Sequence, residues 1–177
     1  MKLQETIEVG QAAPRSAAAT GAGVVAVLFG AAIFGFFYAW VCSTMWGLDD
    51  ADPRVAIEAM QAMNASVRNV VFFPAFFLTP LAMAGSAVLY LRERRRGSAV
   101  LMAIAAVVYL LGGLVLTMTV NVPMNEALAE VTVPAAAAEA ERIWTDYSQR
   151  WQVFNQIRTV ASAISLLLAT SAVAIRR

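Results

Sequence analysis

The chain has 177 residues, of which 60% are hydrophobic and only 14% charged, with a mean hydropathy of +0.65. A soluble domain of this length carries about a quarter charged residues, so the composition points to a membrane protein. Net charge is +1, which gives no footing for nucleic-acid binding. Histidine is absent and cysteine occurs once, as Cys42, so an intramolecular disulfide, His-ligated haem and His-containing zinc sites or triads are excluded. A carboxylate-only metal site remains open, though no short Asp/Glu spacing suggests one, and any chemistry must use Asp, Glu, Arg, Asn, Tyr, Trp or a small-molecule cofactor.

About twenty mixed residues precede the first apolar run, which is too long for a signal-peptide core, so residues 1–21 read as a cytoplasmic tail. Uncharged runs cover 16–48, 69–91, 97–125 and 159–175. A helix needs roughly 20 apolar residues to cross hydrocarbon, with a floor near 17. Spans are predicted near 22–46, 70–91, 98–120 and 155–175, within a single membrane domain over 22–177. The last run is short, and Arg158 is expected to extend its head toward the interface to complete the span. Ala31 and Gly35 in the first span form a small-residue step suited to close helix approach. Cys42 reads as a small packed hydrophobe. In the second span Pro74 and Pro80 predict a kink whose freed carbonyls need partners on neighbouring helices.

The second and third spans are joined by Arg92-Glu93-Arg94-Arg95-Arg96, the tail carries Lys2 and Arg15, and the chain ends Arg176-Arg177. Four spans put these basic segments on one side, which the positive-inside rule makes cytoplasmic. The expected setting is the plasma membrane, multi-pass, with both termini cytoplasmic. The other two links are net acidic and look folded. Asp52-Pro53 is a helix start, and Ile57, Met60, Met63, Asn64 and Val67 then share one face. Pro123 should end or bend the third helix, with Asn121 and Asn125 on one face if the helical path resumes. From Ala135 to Arg177 there is neither Gly nor Pro, which fits one helix or a kink near residue 150. The predicted fold is all-α, a polytopic membrane four-helix bundle with an extracytoplasmic helical cap.

Trp144, Tyr147, Trp151, Asn155 and Arg158 recur at steps of three and four, on one helical face. Aromatics and Arg at this depth also suit an ordinary membrane interface. The amides of Asn64, Asn121, Asn125 and Asn155 are harder to dismiss, because an unpaired amide in apolar surroundings costs a few kcal/mol. They should bond one another, loosened backbone or a ligand. Arg158, with five donors and a permanent charge, is the strongest candidate for holding an anionic or phenolic oxygen. Its alternative partners are Glu126 and Asp146.

Asn121-Val-Pro-Met-Asn-Glu-Ala-Leu128 resembles the N-V-P-[LM]-N-x-x-L motif of the anthrone-oxygenase-like integral membrane proteins. Trp151-Gln-Val-Phe-Asn155-Gln-Ile-Arg158 resembles that family's W-x-x-x-N-x-x-R segment. The aromatic first span and Met63-Asn64 fit as well. The resemblance implies a four-helix scaffold and a cofactor-independent oxygenase acting on a phenolic polycyclic or other lipophilic substrate. A lipophilic aromatic molecule, dioxygen and the lipid bilayer would then be its partners. In such chemistry an acidic benzylic C–H is deprotonated and the enolate reacts with dioxygen. The resemblance then gives Arg158, Asn155 and Asn121 to the oxyanion and Glu126 or Asp146 to the proton, while Asn64, Asn125, Trp151, Tyr147 and Trp40 surround the substrate. The competing readings are a non-catalytic binder or carrier of a lipophilic molecule and a structural partner subunit.

Overall fold

The computed structural model describes residues 16–175. Lys2, Arg15, Arg176 and Arg177, and residues 1–15 of the predicted 1–21 tail, lie outside the described residues, while the first helix has already begun at Ala17. Among the described residues there are five helices and no strand: α1 (Ala17–Asp49), α2 (Pro53–Ser66), α3 (Phe72–Arg92), α4 (Arg96–Ala129) and α5 (Ala137–Ala174). Of these, α1, α3, α4 and α5 are long and apolar enough to cross a bilayer, so the protein is a four-span, all-helical membrane bundle.

Three helix starts follow from capping. Ser16 Oγ accepts the Ala19 N–H at 3.1 Å. Asp52 accepts the Arg54 N–H at 2.9 Å with Pro53 in the first turn, as predicted. Asn69 Oδ1 accepts from Val71 and Phe72 N–H, turning the chain into α3. The last helix is uninterrupted for 38 residues, about 57 Å at 1.5 Å per residue. Pro123 does not end α4. The backbone widens to π-helical bonding over Thr117–Asn121 and Val122 N–H reaches Thr117 O, so the proline enters the first turn of the following α segment, where a missing donor is tolerated.

One end of the bundle is tied by the arginine loop. Arg94 turns it with a φ of 60°. Glu93 accepts from the Ser16 backbone N–H and hydroxyl, holding the start of α1. Arg95 points inward over the Tyr90 ring and donates to Ser98 Oγ, Ala172 O and Ile175 O. A cation on the last carbonyls of α5 also suits the helix dipole. The start of α1, the α3–α4 loop and the end of α5 therefore share one end, while α2 packs at the other.

The packing is graded along the bundle. Near the arginine loop the core is rich in alanine: Ala19, Ala26, Ala87, Ala99, Ala105, Ala106, Ala169 and Ala172. Small residues let backbones approach closely. Gly23 is the extreme case, since a Cβ there would stand 2.0 Å from Tyr90 Oη. The predicted step at Ala31 and Gly35 faces outward instead. The buried stripe of α1 runs Ala19, Gly23, Ala26, Gly30, Ile33 and Phe37, and the rotation of the helix leaves the other pair exposed. Cys42 is exposed too, rather than packed. At midheight Pro80 lies inside α3 and cannot bond Phe76 O; Tyr109 Oη of α4 donates to that oxygen at 2.9 Å. At the far end the core is built from large side chains, including Trp40, Met60, Trp144, Tyr147 and Trp151.

Candidate functional site

Large residues at one end and small ones at the other hold the helices apart at the wide end. A cavity of about 280 Å³ opens there among all five helices. Its walls are mostly rings: Phe36, Phe37 and Trp40 from α1, Phe72, Phe73, Phe76 and Phe77 from α3, and Trp151 from α5. Its polar atoms come from Asn64, Arg68, Thr117, Asn125, Glu126 and Arg158. The π-helical turns Trp40–Thr44 and Thr117–Asn121 flank it. Such turns re-aim side chains without ending the helix and concentrate at functional sites. A second hollow of about 470 Å³ lies between α1 and α3 and shares Phe36, Trp40, Met63, Val67 and Phe72 with the first. The Phe36 and Phe72 ring centroids are 4.8 Å apart in that common wall.

Arg158 is the central group. It is 4% exposed, with its guanidinium carbon 4.6 Å from the Phe37 ring centre and 5.1 Å from that of Trp151. Nη2 donates to Asn155 Oδ1 at 2.8 Å and Nη1 to Thr117 Oγ1 at 3.3 Å, while Nε has no partner. Among the described residues no carboxylate lies within ion-pair distance. Arg158 therefore does not reach out to the interface as its position in the last span suggested. Neutral acceptors and two ring faces keep it inside.

Asn155 is 1% exposed; its amide donates to Phe37 O at 3.2 Å, so it ties α1 to Arg158. One turn further up α5, Asn125 Oδ1 accepts from both Trp151 Nε1 (2.9 Å) and Tyr147 Oη (2.8 Å), and Asn64 donates to Tyr147 Oη at 3.4 Å. Asn64, Asn125, Trp151 and Trp40 line the cavity, and Tyr147 sits behind them. Asn121 is fully buried with neither amide atom partnered, and it is not in the cavity wall. Glu126 lines the mouth, where Arg68 donates to it at 3.4 Å. Asp146 is exposed and apart from the cavity. Thus Arg158, Asn155, Trp151, Asn125, Asn64, Tyr147, Trp40 and Glu126 form one neighbourhood, from which Asp146 and Asn121 are absent.

Sequence reading missed several participants. Thr117 precedes Asn121 by four residues, so the ladder Thr117-Asn121-Asn125 was extendable by its own spacing. Asp49 gave no signal. Its carboxylate accepts from Trp144 Nε1 (3.0 Å), Ser148 Oγ (2.6 Å) and Gln152 Nε2 (2.8 Å), clamping the end of α1 to α5. Among the described residues no group of three or more Cys, Asp or Glu converges as metal ligands would.

Fold and cavity together define a multi-span membrane protein with an aromatic interior pocket in which the buried Arg158 has no carboxylate partner among the described residues. The profile of a family described as anthrone oxygenase matches residues 66–168, more than half of the chain, and the chain belongs to that family. The match includes both segments 121–128 and 151–158, while Phe36, Phe37 and Trp40 on α1 lie before it. No curated protein and no solved structure matches the chain.

Proposed function

We propose that the cavity binds a flat, lipophilic aromatic molecule whose oxygen acquires negative charge, and that the protein oxygenates it without a cofactor. The observation that carries this reading is Arg158. A buried charge without a counter-ion costs several kcal/mol, and an oxyanion ligand relieves that cost. The surrounding rings supply stacking area for a fused polycycle.

For an anthrone the steps balance simply. Glu126, at the mouth, takes one proton from the benzylic CH₂. The electron pair moves into the ring system and onto the carbonyl oxygen, which Arg158 holds. The enolate gives one electron to dioxygen, and the resulting radicals join at carbon as a peroxide that takes up a proton. The C–H bond at the same carbon then breaks as the O–O bond does, leaving the quinone carbonyl and one water. Asn155 and Thr117 serve as positioning residues for the guanidinium, and Asn125 orients Trp151. Family membership supports the chemistry, and family chemistry alone supplies the substrate class.

The test is oxygen uptake by purified protein with a tricyclic anthrone, beside Arg158→Gln. Loss of a preorganised oxyanion donor costs about 10²–10³ in kcat. Wild-type protein that consumes no oxygen, or Arg158→Gln that folds and matches wild type, sinks this reading. Tight binding of the anthrone without oxygen uptake would instead favour a carrier. We also take the arginine-loop end as cytoplasmic, because Arg92, Arg94 and Arg96 are exposed there, with both termini on that side of the plasma membrane. With Cys42 changed to Ser, labelling of a cysteine placed at Gly97 only after the membrane is permeabilised from outside is the expected result, and labelling in intact cells would overturn it.

A further inference from the structure

Away from the cavity, α3 and α4 enclose a groove of about 580 Å³ lined only by apolar residues. Alanines line both walls, Ala84 and Ala87 on α3 and Ala99, Ala103 and Ala106 on α4, so the floor of the groove is built from small side chains. From Pro80 to Leu91 the groove runs about 16 Å at 1.5 Å per residue, close to half of a hydrocarbon core of about 30 Å. That is the depth of one leaflet.

The end of the groove nearest the α3–α4 loop has a distinct charge. Val88 lines the groove on α3, and Arg92 follows it by four residues; Val100 lines it on α4, and Arg96 precedes it by four. Each wall therefore ends, one turn on, in a guanidinium. Arg92, Arg94 and Arg96 are all exposed. The loop's acid, Glu93, is turned to Ser16 and Arg95, and Arg95 is turned inward to Ala172 O and Ile175 O. The three outward arginines thus keep their charge beside the mouth of an apolar slot.

We infer that this groove is a binding site for an anionic phospholipid, with an acyl chain along the alanine floor and the phosphate at Arg92, Arg94 and Arg96. Apolar length sets the chain, and charge complementarity sets the headgroup. A second copy of the chain is the competing occupant, but it would bring its own arginines against these.

The test is native mass spectrometry of the full chain in detergent, titrated with phosphatidylglycerol or phosphatidylcholine of equal chain length. Wild type should retain phosphatidylglycerol about tenfold better. The variant R92Q/R94Q/R96Q, which leaves the groove intact, should fall to the phosphatidylcholine level. Ala103→Phe, which fills the floor, should lower retention of both lipids. Ala103→Leu serves if the larger ring prevents folding. Equal retention of the two lipids by wild type, or no change in the triple variant, overturns the inference. So does a dimer that Ala103→Phe dissociates while lipid retention is unaffected.

Discussion

At the residue scale, the arrangement depends on how Arg158 is held. Asn155 gives its oxygen to the guanidinium and its amide to Phe37 O, both inside the bundle. Asn155→Ala therefore takes the shorter bond from the buried guanidinium and a side-chain donor from Phe37 O, and a loss of about 1–3 kcal/mol is expected in detergent unfolding. The guanidinium should also move, so kcat for any oxygenated substrate should fall more than KM rises. Thr117→Val removes the longer bond, together with the hydroxyl's own bond to Gly113 O one turn back, and should cost less, about 1 kcal/mol. Asp49 is a separate case. It is exposed, yet it accepts three bonds from α5, and Asp49→Ala is expected to lower the thermal midpoint without touching ligand affinity. The stripe from Trp144 to Arg158 was legible in the sequence because one helix carries all of it. Asp49 and Phe37 were not, because their roles depend on how α1 is rotated against α5.

At the element scale, two devices replace missing backbone bonds. Pro80 leaves Phe76 O without its helical donor, and Tyr109 supplies one. Tyr109→Phe should cost about 1–3 kcal/mol, and Pro80→Ala in the same chain should recover most of it by restoring an N–H. Additive losses in that double variant would overturn the explanation. The sequence called for such a partner, though it could not say which helix supplied it. At the start of α2, Arg54 bonds Asp52 and, with its backbone N–H, holds the carboxyl down from 3.8 to about 2. Because the folded value is depressed, this contribution is present above the unfolded value and is lost as pH falls from about 4 toward 2. Asp52→Asn still caps but does not titrate. Wild type should therefore lose more α2 protection than Asp52→Asn between pH 5 and 2, followed by proteolysis or hydrogen exchange. The π-helical turns had no counterpart in the sequence reading, since the roughly 100° phase shift of one extra residue leaves no mark on a helix that is apolar all round.

At the scale of the whole molecule, the number of spans was legible because charge-free length alone fixes it. The arrangement of the spans was not, since helices that are apolar all round carry no mark of which face turns inward. Ala31 and Gly35 had the right spacing and the wrong azimuth. The true close approaches rest on Gly23 and on Gly112, where a Cβ would come 2.5 Å from Ala161 Cβ. Gly112→Ala must push α4 from α5 just below the cavity. It is expected to destabilise by about 1–3 kcal/mol, and Ala161→Gly in the same chain should relieve the clash. The common wall between the cavity and the hollow facing α1 and α3 bears on supply. A swing of the Phe36 or Phe72 ring would merge the two spaces, so a guest dissolved among acyl chains could reach Arg158 without ever being hydrated. Its effective concentration would then be its solubility in lipid, and assays run with aqueous stock alone would report the partition step.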